Sequence, residues 1–199
     1  MRDLDNPKLR SIVETGTSLF WKFGFRRVTV QEICREAGVS KMTFYKHFKN
    51  KEELVKFVLD HVSRQRMAVY REVMDRDIPF AEKMEELVRM KMRQIEDLSR
   101  EFYQDFHQHA GPELRRHIET MVAQGMKTML ADYVLAQQKG EIRADIKPAF
   151  IAYFLNHMMA MLKDDELIRI YDTPQELIME LTNFFIHGLL PQREGEKKG

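Results

Sequence analysis

A short run of polar side chains holds the clearest chemistry in the sequence. Between residues 40 and 51, cationic, hydroxyl and aromatic side chains are mixed with apolar ones. Phe44 and Phe48 are four residues apart, so on a helix they share a face and are predicted to point toward a core. The side chains left to face outward, which suit phosphate oxygens and the edges of bases, are Lys41, Thr43, Tyr45, Lys46 and His47.

Two short helices joined by a tight turn are predicted to position these side chains. Thr29 and Glu32 have the spacing of a capping box, in which each side chain covers an unpaired backbone amide. Gly38 can adopt the left-handed conformation that ends a helix, and Ser40 can cap the next helix, predicted from Lys41 to about His47. A third capped helix follows directly, which is the order of a DNA-binding helix-turn-helix. The alternative is an ordinary three-helix bundle whose aromatic residues only form a core.

The segment from Thr29 to Leu54 resembles the TetR family of bacterial transcriptional regulators. It has the family's Ala-Gly-Val-Ser turn, a Thr-Phe-Tyr step and an Asn-Lys-Glu sequence, and the resemblance extends over about the first 60 residues. There are two departures from the family pattern. Gly16 stands where a helix-favouring alanine is usual, and Met42 stands where many members have glycine. Met42 alters what touches DNA, so the operator sequence stays open.

The resemblance implies a repressor that binds a palindromic operator in double-stranded DNA and is released by a ligand, although activation stays open. It places Tyr45 and Lys51 on phosphates and gives base discrimination mainly to the helix that begins at Lys41. The residues expected to bind DNA are Thr29, Lys41, Met42, Thr43, Tyr45, Lys46, His47 and Lys51.

The charge distribution agrees with a DNA-binding N-terminal segment. Residues 1–71 contain 15 Lys and Arg against 8 Asp and Glu, whereas residues 72–199 contain 17 against 23. The net charge of +1 therefore combines a basic N-terminal part with an acidic remainder. A basic part attracts phosphate, and an acidic part discourages DNA from lying across the rest of the molecule.

The rest of the chain has the apolar periodicity of helices and no strand pattern. One long helix is predicted from Asn50 to about Met74, and another after Pro79 to about residue 101. We expect an all-α fold of about nine helices, with a three-helix head on a larger helical body. The expected divisions are 1–54 for DNA binding, 55–190 for effector binding and dimerisation, and 191–199 as a flexible tail.

Two apolar helices are predicted near the end of the chain, at about 148–163 and 174–190. In the family the last two helices form the homodimer interface, and two copies would make a four-helix bundle. The residues expected in this interface are Phe150, His157, Leu177, Leu181, Phe184 and Gly188. The alternative is that they belong to the core of a single chain.

Fourteen methionines suit an adaptable apolar cavity. Together with the ligand-binding body that the resemblance implies, they predict a small lipophilic effector held by Met84, Phe106, Met121, Met126 and Phe154. Two alternatives stay open. These residues can be plain core packing, or the body can dock a protein partner instead of a small molecule.

The sequence offers little for catalysis or metal binding. It has no Gly-x-Ser-x-Gly turn and no phosphate-binding glycine loop, so we expect no enzyme activity and no cofactor. His107 and His109 diverge on a helix, and no metal site is expected near them or Asp105. Cys34 is interpreted as a buried structural thiol. Because the start lacks a signal peptide and no apolar run approaches about 18 residues, we expect a cytoplasmic protein that does not enter a membrane.

Overall fold

The computed structural model describes residues 4–95, 98–162 and 164–191, and every regular element in these ranges is a helix. The prediction of an all-α fold is confirmed. The helices are α1 (Pro7–Phe23), α2 (Val30–Glu36), α3 (Lys41–His47), α4 (Lys51–Met74), α5 (Phe80–Ile95), α6 (Arg100–His107), α7 (Pro112–Gln138), α8 (Pro148–Met161), α9 (Asp165–Ile168) and α10 (Pro174–Leu189).

The helix expected from residue 80 to about 101 is divided in the structure. Helix α5 ends at Ile95, and α6 begins directly after Ser99. The Ser99 hydroxyl accepts a hydrogen bond from the backbone N–H of Phe102 at 3.1 Å, so it caps a new helix. The short helix α9 is a further addition to the prediction. The tail expected at 191–199 lies outside the described residues from position 192 onward.

The described residues form two compact units. The first contains residues 4–66 and 98–122, and the second contains residues 67–95, 123–162 and 164–191. Packing therefore groups α6 with the N-terminal helices. The boundary expected after residue 54 separates DNA binding from effector binding and dimerisation, which packing alone does not define, so it stays a prediction.

The core of the first unit is formed by apolar side chains from α1, α2, α3 and α4, with additions from α6 and α7. Phe44 and Phe48 are at most 1% exposed, and their ring centroids lie 5.7 Å apart. The prediction that these two side chains point toward a core is confirmed. Burial of one such side chain contributes about 1.5–3 kcal/mol, so this pair is a main attachment of the short helix α3.

The second unit has a separate core that includes residues from α5, α7, α8 and α10. The buried ring of Tyr133 lies 5.8 Å from the ring of Phe80 and 5.8 Å from that of Phe185. Beside this core, the Tyr70 hydroxyl donates to Asp132 at 2.9 Å, and Arg71 donates to the same carboxylate at 3.0 Å. Burial raises the pKa of Tyr70, so its phenol stays protonated and can keep donating.

A close approach of α1 to α4 explains the glycine at position 16. A Cβ atom added to Gly16 would lie 3.1 Å from Cδ2 of Leu54, which is fully buried. In α7, a Cβ added to Gly125 would meet only Cε of Met67, at an ordinary 3.8 Å. Gly16 and Gly125 therefore differ in the space beside them.

We expect Gly16→Ala to leave the free energy of unfolding unchanged or to lower it by up to about 2 kcal/mol, because overpacking outweighs the gain in helix propensity. Gly125→Ala is the matched control and should raise the free energy of unfolding by up to about 1 kcal/mol. Urea denaturation of both variants measures the difference. Equal stabilisation in the two would show that Leu54 moves aside without penalty.

Candidate DNA-binding site

The turn between α2 and α3 has the geometry that its sequence predicts. Gly38 has a φ of +65°, in the left-handed region that glycine adopts without steric strain. The hydroxyl of Thr29 accepts from the N–H of Glu32 at 3.2 Å, and the Glu32 carboxylate accepts from the N–H of Thr29 at 2.8 Å. Ser40 accepts from the N–H of Thr43 at 3.1 Å. Both capping predictions are confirmed, and the start of each helix is satisfied locally.

Helix α3 presents a polar and aromatic face to solvent. Met42 is 70% exposed and Tyr45 is 55% exposed. The Tyr45 ring meets the buried ring of Phe44 edge-on, with the ring centroids 5.4 Å apart, and this contact helps to hold the exposed phenol in position. All the side chains predicted to bind DNA from this helix lie outside the core: Lys41, Met42, Tyr45 and Lys46 are exposed, and Thr43 and His47 are half-buried.

Thr29 is also exposed, but its hydroxyl is already in use. It donates to Oε2 of Glu32 at 2.8 Å while it accepts from the Glu32 backbone. The hydrogen bonds that the Glu32 carboxylate accepts from the backbone N–H and from the hydroxyl of Thr29 lower the pKa of Glu32 and keep it charged. A contact between this hydroxyl and a DNA phosphate must therefore replace the bond to Glu32.

Lys51 has a second role that the sequence does not reveal. Its Nζ donates to the backbone carbonyl oxygen of Arg26 at 2.9 Å and to that of Val28 at 2.7 Å. Burial lowers the pKa of this ammonium, partly offset by the charges of Asp105 and Glu32. Because an ammonium has three N–H donors, two donated to these carbonyls leave one for a phosphate. The phosphate contact of Lys51 stays a prediction.

Asp105 reaches the DNA-binding head from α6, although its place in the sequence suggests only a neighbour of His107 and His109. Its side chain is buried, and Oδ2 accepts from the backbone N–H of Arg26 at 2.8 Å. The two residues are 79 positions apart, so no local pattern in the sequence signals their contact.

His107, His109 and His117 each lie against a different side chain. The His117 Nε2 lies 2.8 Å from Oδ1 of Asp60, and the His107 ring lies against the Tyr103 ring at 4.6 Å. His109 Nδ1 is 3.8 Å from Oδ1 of Asp105. Among the described residues, no three His, Cys, Asp or Glu side chains are grouped so that they could hold a metal ion.

The residues expected in a dimer interface fall into two groups. Phe150 is 56% exposed and Phe184 is 70% exposed, and His157 and Gly188 are exposed as well. Leu177 and Leu181 are instead buried inside the protomer, so they offer a partner no free surface. A shallow apolar groove of about 160 Å³ lies on the same surface and is lined by Ile146, Phe150, Ile151, Phe154, Phe184, Phe185, Gly188 and Leu189.

The residues expected to bind an effector are divided between the two cores. Phe106 and Met121 pack against the core of the first unit. Met84, Met126 and Phe154 belong to the second core, where Met84 is fully buried. A larger groove of about 690 Å³, lined by residues of α1 and α4, contains none of these five side chains.

Comparison with known proteins identifies the N-terminal segment. The family model of bacterial regulatory proteins of the tetR family matches residues 12–58. YvkB of Bacillus subtilis (strain 168), an uncharacterized HTH-type transcriptional regulator, is 26% identical over 200 residues, which cover 92% of this chain and 97% of YvkB. YerO, another uncharacterized HTH-type transcriptional regulator of that strain, is 50% identical over 50 residues, which cover 25% of this chain and only 17% of YerO.

The fold is shared with a regulator of known structure. The crystal structure of the transcriptional regulator FadR from Bacillus subtilis, in complex with stearoyl-CoA, matches with a TM-score of 0.69. The match covers 91% of this chain and 99% of FadR at 15% sequence identity, a level at which the similarity concerns the fold alone. No described helix is long and apolar enough to cross a membrane.

The matched residues 12–58 contain both helices of the turn and the first part of α4, so they are the segment that presents the exposed face of α3. The resemblance seen in the sequence is confirmed. Residues 12–58 therefore match the model of the TetR family of DNA-binding regulators, and over 92% of its length the chain is similar to a helix-turn-helix transcriptional regulator.

Proposed function

We propose that the protein is a homodimeric repressor that leaves a palindromic operator when a small lipophilic effector binds. The observation that carries this proposal is the exposed aromatic surface of α8 and α10, where Phe150, Tyr153 and Phe184 are 56%, 60% and 70% exposed. A contiguous apolar surface of this kind marks an interaction site, and a second copy of the same helices would cover it. Action on DNA would place the protein in the bacterial cytoplasm.

The dimer explains how one short helix can recognise an operator. Two heads read two half-sites on one face of B-DNA only when their α3 helices are about 34–36 Å apart, or a multiple of this distance. An effector that binds more tightly to a dimer with another separation lowers operator affinity by its difference in affinity for the two states. The mechanism needs no chemical step.

An acyl compound is the effector class that we propose. The support is the fold shared with FadR, whose structure holds stearoyl-CoA, and the methionine and aromatic side chains of the second core. Met126 and Phe154 are only partly buried there, so a ligand can contact them without displacing the fully buried side chains of this core. The assignment of Phe106 and Met121 to the same effector stays a prediction.

A protein-docking body is the second candidate, and the same exposed aromatic surface favours it. A protein partner and a second copy of this chain would compete for this surface. Light scattering of the purified protein distinguishes a homodimer from a protein-docking body. If the protein is a dimer without any partner, the second copy already covers the aromatic surface.

We expect Met42→Ala to change the preferred operator sequence more than the overall affinity for DNA, because the exposed thioether can offer only an apolar contact, such as one to a thymine methyl group. Tyr45→Phe is the contrasting variant. It removes one hydroxyl and should weaken operator and random DNA equally, by about tenfold. Binding-site selection and fluorescence anisotropy measure the two effects. A consensus that does not change in Met42→Ala would rule out base discrimination by this residue.

Phe184→Glu should convert the dimer to a monomer and abolish tight operator binding, because an unpaired charge in an apolar interface is costly. Met92→Glu is the matched control, since Met92 is 52% exposed on α5 and is not among the residues that line the apolar groove. Light scattering gives the mass of each variant, and circular dichroism checks its helix content. A dimeric Phe184→Glu variant would place the interface elsewhere.

A thermal-shift series of fatty acids and acyl-CoA compounds of different chain length tests the effector. A ligand present at 100 times its dissociation constant should add about 2.7 kcal/mol to the free energy of unfolding. Met126→Ala should change the preferred chain length, whereas Met84→Ala should lower stability by about 2–5 kcal/mol through a core cavity. The acyl proposal fails if no compound in the series raises the melting temperature or releases DNA.

A further inference from the structure

The connection between α1 and α2 is held by a buried carboxylate from α6. Asp105 is 6% exposed, and its Oδ2 accepts from the backbone N–H of Arg26 at 2.8 Å. The other oxygen of this carboxylate is 3.8 Å from Nδ1 of His109 on the same chain segment. This hydrogen bond is partly buried, and removing the carboxylate leaves the N–H of Arg26 without this acceptor, which is unfavourable.

The backbone at Gly24 is shaped to admit this carboxylate. Gly24 has a φ of +73°, and a Cβ atom placed on it would lie 2.5 Å from Oδ2 of Asp105. The same Cβ would be 3.1 Å from the backbone oxygen of Glu101. Only glycine therefore allows α6 to come this close to the end of α1.

Lys51, at the start of α4, also holds the connection between α1 and α2. Its ammonium donates to the carbonyl oxygens of Arg26 and Val28, at 2.9 and 2.7 Å. The backbone of Arg26 thus gives its N–H to a carboxylate and its carbonyl to an ammonium. Residues 24–28 are fixed by two charged side chains from helices that lie far apart in sequence.

Helix α6 is itself attached firmly to α1. The backbone N–H of Ser99 donates to the carbonyl oxygen of Trp21 at 3.0 Å. The Phe102 ring lies 4.4 Å from the Trp21 ring and 6.1 Å from the Phe25 ring. The position of Asp105 is therefore set by packing that does not depend on its own hydrogen bond.

The connection leads directly into the DNA-binding helices. Val28 precedes Thr29, the N-cap of α2, and Lys51 begins α4. A shift of residues 24–28 would move the start of α2 and release the ammonium of Lys51 from its two carbonyl partners. Both changes would alter what the head presents to DNA.

We propose that Asp105 is a positioning residue for DNA binding, which acts through the backbone of Arg26 to hold the connection, the start of α2 and the ammonium of Lys51 in the DNA-binding arrangement. The carboxylate is buried and negative, so it does not itself bind phosphate. The part of the inference that concerns Lys51 rests on the phosphate contact proposed for that residue.

The experiment uses the full chain and duplex DNA of the consensus that the wild-type protein selects from a random pool, with dissociation constants measured by anisotropy at several salt concentrations. Asp105→Ala removes the acceptor, and Asp105→Asn keeps an oxygen in the same place. Glu101→Gln is the matched control, because it removes the same charge from an exposed position on the same helix.

Asp105→Ala is expected to weaken binding by at least about tenfold and to lower the salt dependence by about one unit of slope, as if one phosphate contact were lost. The direction of the change in affinity distinguishes positioning from simple electrostatics, because removing a negative charge would by itself strengthen binding to DNA. Asp105→Asn should recover most of the affinity, and Glu101→Gln should remain within about twofold of wild type. Lys51→Ala should cost less affinity in the Asp105→Ala background than in wild type.

The proposal is overturned if folded, dimeric Asp105→Ala binds within about twofold of wild type, or if its effect adds fully to that of Lys51→Ala. If Asp105→Ala does not fold, Asp105→Leu takes its place, because leucine keeps the branched shape of the side chain and cannot accept a hydrogen bond. If Lys51→Ala alone binds DNA with full affinity, Lys51 makes no phosphate contact. A tenfold loss of affinity in Asp105→Ala would still support the positioning of residues 24–28.

Discussion

Burial of Phe44 and Phe48 is the constraint on which the DNA-binding face depends. Helix α3 has seven residues, and a helix of this length has no stability of its own in water. Its rotation about its axis is fixed because these two rings enter the core of the first unit. Met42, Tyr45 and Lys46 face outward as a result. The chemistry of the exposed face is therefore set by the apolar residues between the polar ones.

Local features of this head could be predicted from the sequence because they involve residues within four positions of one another. The capping box of Thr29 and Glu32 and the positive φ of Gly38 belong to this group. The contact of Asp105 with Arg26 does not, since it depends on how α6 packs against α1. The carbonyl partners of Lys51 are 25 and 23 positions away in the sequence, so they too lie outside the range of local patterns. A single sequence contains no periodic signal for contacts of this range.

The candidate interface shows a similar limit. Apolar periodicity indicates that α10 has a buried face, but it does not say whether the protomer or a partner covers each residue. Leu177, Leu181 and Phe185 follow one another at intervals of four and are buried inside the protomer, whereas Phe184 projects from another side. The residues predicted to bind an effector show the same limit. Methionine content predicts an adaptable apolar interior, but it does not show that the chain builds two separate cores.

The contact of Trp21 with Phe102 gives the molecule a built-in optical probe. The chain contains one tryptophan, and its indole ring lies 4.4 Å from a phenylalanine of α6 while its backbone oxygen accepts from Ser99. The emission of that indole depends on the polarity and packing of its surroundings. Intrinsic fluorescence of the unlabelled protein therefore reports on a single junction, the one between α1 and α6, and any rearrangement there can be followed in real time without adding a dye.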